Sequence, residues 1–93
     1  MERKVIRKFK FEAFIIEVTS KHQKHYPVFE VLRGVHFIMY AESKKEVAEK
    51  VAEIISTIVG QEVTSGPEPY LSSVLEWTFD TADLDITFGI EKM

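Results

Sequence analysis

Leu75-Glu76-Trp77-Thr78-Phe79-Asp80-Thr81-Ala82-Asp83-Leu84-Asp85-Ile86-Thr87-Phe88-Gly89-Ile90 decides the fold of this 93-residue chain. Leu75, Trp77 and Phe79 alternate with Glu76, Thr78 and Asp80; Leu84, Ile86, Phe88 and Ile90 then alternate with Asp83, Asp85, Thr87 and Glu91. A period of two marks a strand with one face in a core and the other in water. The pattern therefore predicts two antiparallel strands joined by a short acidic turn, large apolar side chains on one face and carboxylates on the other. An isolated hairpin is marginal in water, so that apolar face needs a cover.

The cover is written upstream. Ser43-Lys44-Lys45-Glu46 fits a capping box, in which the serine hydroxyl accepts an orphan amide and the glutamate reaches back toward the chain before the helix. Val47, Val51, Ile54, Ile55 and Ile58, widened by Ala48 and Ala52, recur at helical spacing. Gly60 suits the left-handed position just past a helix end. A helix over 44–59, laid on a sheet face, follows. Gln61 to Ser73, with Gly66-Pro67-Glu68-Pro69 at its centre, reads as a rigid turn or loop.

Before the helix the chain is β-rich. Phe9, Phe11, Ala13 and Ile15 alternate with Lys8, Lys10 and Glu12, after which Phe14, Ile16 and Val18 take over the apolar parity. A strand over 5–19 with a bulge or twist near Ala13–Phe14, or burial of both faces there, is expected. Residues 20–27 read as a polar loop. Val28 to Ala41 reads as two short strands about a tight turn at Arg33-Gly34. The expected fold class is α+β: one domain over 1–93, with a mostly antiparallel sheet of four to five strands in the order β-β-β-α-β-β and one helix on one face.

Composition narrows the chemistry. With 45% apolar and 29% charged residues, one modest core is affordable in 93 residues, whereas a doubly wound dinucleotide fold or a barrel is not. No cysteine is present, which removes disulfides, thiolate nucleophiles and cysteine-ligated zinc. The basic start lacks a following apolar stretch of signal-peptide length, and no apolar run approaches a membrane span, so a cytoplasmic chain is expected. The net charge of −3 hides a gradient: residues 1–36 hold eight Lys/Arg against four Asp/Glu, and residues 61–93 hold one against seven. Such asymmetry suggests either pairing between the two ends or separate surfaces for separate partners.

The aliphatic-x-Trp-x-Phe strand, the short turn, and the Asp85-Ile86-x-Phe88-Gly89-Ile90 return strand resemble the signature hairpin of GOLD domains. The resemblance is local, spanning residues 75–90 of 93. That family is an all-β sandwich, and the helix expected at 44–59 sets this chain apart from it. What the resemblance implies is a protein-interaction module without catalytic residues.

Candidate sites follow from charge and spacing. His22 and His25, three apart, are flanked by Lys21 and Lys24, which would repel a divalent cation; no metal or other cofactor is expected. Asp80, Asp83 and Asp85 crowd one turn but lack the glycine and terminal glutamate of a calcium loop. No nucleophile elbow or phosphate-cradling glycine loop is present, so the chain reads as non-enzymatic. The leading expectation is a protein-interaction module, acting as an adaptor, an inhibitor or a small regulatory subunit. It would offer Glu76, Asp80, Asp83 and Asp85 to a basic partner or to a second copy of itself in a homodimer. The alternative is single-stranded nucleic-acid binding by Arg7, Lys8, Lys10, Lys21, His22, Lys24, His25 and Arg33.

Overall fold

The C-terminal alternation sets the sheet. The computed structural model describes residues 7–22, 32, 34–71 and 75–93. They form β1 (Phe9–Ser20), β2 (His36–Ala41), α1 (Lys44–Val59), β3 (Val63–Pro69), β4 (Glu76–Thr81) and β5 (Leu84–Lys92). The five strands make one open antiparallel sheet in the order β2-β1-β5-β4-β3, an α+β architecture with α1 on one face.

β4 and β5 pair Trp77 with Phe88 and Phe79 with Ile86 on the covered face. The Phe79 and Phe88 rings meet edge-on, with centroids 5.9 Å apart. Phe79, Leu84, Ile86, Phe88 and Ile90 are fully buried, each contributing roughly 1.5–3 kcal/mol of burial free energy. Trp77 packs at the margin of this cluster rather than at its centre, half-buried, and Leu75 is exposed. The hairpin core is thus carried by its two phenylalanines.

The helix starts and stops where its residues require. Ser43 Oγ accepts from the Glu46 amide at 3.3 Å, but the Glu46 carboxylate accepts from the amide of Glu42, at 2.9 Å, one residue earlier than the usual capping box. That amide, aided by Lys50, holds the Glu46 carboxyl below the ordinary glutamate range. Gly60, at φ +71°, closes the end by donating to the Ser56 carbonyl. Val47, Ala48, Val51, Ala52 and Ile55 are buried against the sheet. Ile54 and Ile58 are not: both lie on one flank of the helix, beside the stripe that meets the sheet, and stay partly exposed.

Three sequence expectations need correction or completion. The bulge lies between Ile15 and Glu17, not at Ala13–Phe14. Phe11, Ala13 and Ile15 keep one parity in the core, and Phe14 sits on the opposite face over Gly89, where a Cβ would come within 2.5 Å of its ring. A glycine that leaves a seat for an aromatic ring lets the apolar parity break without breaking the strand. One extra residue, Ile16, then returns Val18 to the core side opposite Ile86. Secondly, Val63–Pro69 is a strand and not a loop. It pairs with β4 through two register irregularities, includes a cis Gly66-Pro67 peptide, and lies at a sheet edge, where proline is tolerated because one side of the ladder is open. Finally, the Val35 amide donates to the Leu32 carbonyl at 3.1 Å just ahead of β2; Arg33 of the expected Arg33-Gly34 turn lies outside the described residues. The strand expected before that turn lies outside the described residues, apart from the buried, helical Leu32. Among the described strands the order is β-β-α-β-β-β.

A polar latch joins the helix end to the hairpin. The buried Thr81 hydroxyl donates to Gln61 Oε1 at 2.6 Å and accepts from the Leu84 amide at 3.0 Å. Gln61 Oε1 also accepts from the Asp83 amide, and the Gln61 carbonyl accepts from Ser56 Oγ at 2.6 Å. Buried polar groups of this kind are stable only when paired.

Candidate functional site

With α1 on one face, the opposite face of the sheet carries the side chains that alternate with the core. Register places them in rows. His36, Phe14, Gly89 and Glu76 lie side by side across four strands; Glu17, Thr87, Thr78 and Glu68 form the next row; Thr19, Asp85 and Asp80 the one beyond. On the other side of the first row come Ile38, Glu12 and Glu91, then Tyr40 and Lys10.

This face therefore holds seven carboxylates: Glu12, Glu17, Glu68, Glu76, Asp80, Asp85 and Glu91. Two acid pairs stand directly opposite one another across strands, Glu12 with Glu91 and Asp80 with Asp85. Like charges so placed destabilise a sheet. The Asp85 carboxyl shows the effect: loss of hydration and the neighbouring Asp80 push it above the usual aspartate range, partly offset by the Thr78 hydroxyl that donates to it at 3.3 Å. Threonines 19, 78 and 87 lie among the acids on this face, beside the Phe14 ring over Gly89.

Lys21 offsets part of this charge, and two imidazoles lie beside acids. Lys21 Nζ lies 3.2 Å from Asp80 Oδ2 and donates to the Thr81 carbonyl at 3.0 Å. His22 Nε2 lies 3.2 Å from Asp83 Oδ1, and His36 Nδ1 lies 3.6 Å from Glu12 Oε1. The basic end of β1 thus meets the acidic turn, which is the pairing between chain ends that the charge gradient suggested.

Of the four acids read from the sequence, Glu76, Asp80 and Asp85 share the face opposite α1. Asp83 lies in the turn between β4 and β5, held by His22. Sequence reasoning missed Glu12, Glu17, Glu68 and Glu91. Their signal was present in part, since Glu12 alternates with core residues of β1 and Glu91 continues the polar parity of β5. Placing them together, however, requires the long-range pairing of β1 with β5.

The basic set is not gathered. Arg7 and Lys8 precede β1 and Lys10 opens it, whereas Lys21 and His22 follow its other end, on the order of 35 Å away at about 3.3 Å per residue. β1 lies between β2 and β5, so its one lysine, Lys10, does not guard an edge. Lys24, His25 and Arg33 lie outside the described residues. Among the described residues no group of three or more His, Asp or Glu side chains is arranged to hold a metal ion, and no helix is long and apolar enough to cross a membrane.

No family model matches this chain, and neither a curated protein nor a solved structure is found to be similar to it.

Proposed function

We propose that this protein is a non-enzymatic interaction module, working as an adaptor, an inhibitor or a small regulatory subunit, and that the uncovered acidic face of its sheet is the surface that meets a basic protein partner. The observation that carries this reading is the pair of acid–acid oppositions, Glu12 with Glu91 and Asp80 with Asp85, on a face with nothing described above it. Each opposition costs roughly 0.2–1 kcal/mol in the free protein. A cationic partner removes that repulsion on docking, so binding recovers stability that the free fold forgoes. Charge of one sign on a broad face also speeds encounter with a partner of the other sign. The GOLD-like hairpin contributes β4 and β5 to the centre of this face and agrees with an interaction role. A cytoplasmic setting fits the absence of cysteine.

The test is amide chemical-shift mapping of the full chain against an arginine- and lysine-rich peptide, with a single-stranded oligonucleotide in a parallel titration. The peptide is expected to shift Thr78, Asp80, Asp85 and Thr87 and to leave the exposed side of α1 unchanged. The oligonucleotide is expected to shift none of them. Peptide shifts confined to α1, or an oligonucleotide response along β1 that weakens steeply with salt, would overturn the reading in favour of another surface or of nucleic acid.

A further inference from the structure

The two edges of the sheet are treated differently. At the β3 edge Pro67 and Pro69 remove donors, and two register irregularities interrupt the ladder. These are the usual devices that keep an edge from pairing. The β2 edge has none of them. His36-Phe37-Ile38-Met39-Tyr40-Ala41 is regular, contains no proline, lysine or carboxylate, and pairs with β1 without a break.

Hydrogen bonding shows which groups face outward. The Ile15 amide donates to the Val35 carbonyl across β1 and β2, and antiparallel bonding alternates, so Phe37, Met39 and Ala41 point their backbone groups at β1. His36, Ile38 and Tyr40 direct theirs to the outer side, where no strand pairs with β2 among the described residues. Apolar side chains flank that edge on both sides of the sheet. On the acidic-face side, Ile38 is 53% and Tyr40 60% exposed. On the helix side, a groove of about 600 Å³ runs between β2 and α1, lined by Phe37, Met39, Lys50, Glu53 and Ile54. Ile54 is 38% exposed, and Ile58, one turn on along the same flank, is 45% exposed.

We infer that the β2 edge and the groove beside it take the β2 edge of a second copy of this chain, in an antiparallel two-fold pairing that makes one ten-stranded sheet. The choice of occupant rests on self-complementarity. A two-fold axis brings each surface against itself, and Lys50 and Glu53, which both line the groove, then face the partner's Glu53 and the partner's Lys50. β2 carries no formal like charge to repel its own copy. Register follows from which amides are free: Glu42 already donates to Glu46, so Ile38 stands opposite its own equivalent and His36 opposite Tyr40, using only outward groups. Phe37 and Met39 then pack across the groove against the two helices. Because the axis is normal to the sheet, both acidic faces look the same way.

Sedimentation equilibrium of the full chain over a dilution series tests this. The wild type is expected at twice its 10.8 kDa mass. Ile38→Pro removes one outward amide without touching the β1 ladder and is expected to give a folded monomer; Ile38→Lys, which places a charge on the same edge, is expected to do likewise. Lys50→Glu and Glu53→Lys are each expected to be monomeric alone and to form a heterodimer when mixed, since mixing restores both charge pairs. A monomeric wild type, a dimer that survives Ile38→Pro and Ile38→Lys, or a mixture that stays monomeric would each overturn the proposal. The inference does not depend on the acidic face: the Ile38→Pro monomer should still bind the basic peptide, so the two readings fail separately.

Discussion

Phe14 and Gly89 show how one residue's missing side chain decides another's place. The ring sits where a Cβ on Gly89 would be, so Gly89→Ala must push it off the sheet, at a cost of about 1–2 kcal/mol typical of overpacking. Adding Phe14→Ala should abolish that penalty, and a double-mutant cycle in urea should return a coupling of similar size. Additive effects would mean the ring does not rest on that glycine. Asp85 yields a prediction with a definite sign. Its carboxyl is raised in the folded protein above its ordinary value of 3.8, so the folded state holds the proton more tightly than the unfolded chain. Stability from this group is therefore greatest below 3.8 and declines as pH rises through the raised value. Asp85→Asn should be more stable than wild type at neutral pH, with the advantage vanishing in acid. Denaturant midpoints at the two pH extremes check this, and a less stable Asn variant at neutral pH would contradict it.

Among the elements, those with unmixed periodicity could be read from the chain. β4, β5 and α1 are legible because their apolar residues keep one period from end to end and because Ser43 and Gly60 mark the helix limits. β3 was not legible: Val63-Thr64-Ser65-Gly66-Pro67-Glu68-Pro69 has turn chemistry, and only its position at an edge, a property of the whole sheet, makes it a strand. The β1 bulge was legible as a change of parity, but not its position, which depends on Gly89 far along the chain. The polar latch between the end of α1 and the hairpin was equally hidden, since it runs through Thr81 and Gln61, neither of which stands out in sequence. Thr81→Val keeps the shape and removes the hydroxyl, leaving the Leu84 amide and Gln61 Oε1 short of a partner. A loss of about 1–3 kcal/mol is expected, with faster amide exchange in the turn at 82–84. Unchanged exchange there would show that the latch does not hold the turn.

Among the described residues, the sheet divides the chain's chemistry into an apolar side under α1 and an acidic side opposite it. Three of the four acids read from the hairpin belong to that face, but three of its seven carboxylates, Glu12, Glu17 and Glu68, are brought there only by pairing β1 and β3 with the hairpin, which no local pattern encodes. The account stands on the claim that this face, rather than net negative charge, is what a basic partner recognises. Calorimetric titration of the arginine- and lysine-rich peptide tests it most directly, comparing Glu76→Lys/Asp80→Lys/Asp85→Lys with a charge-matched control, Glu42→Lys/Glu49→Lys/Glu62→Lys, whose exposed acids lie off the face. Binding should be lost in the first and retained in the second; equal loss in both would contradict the claim.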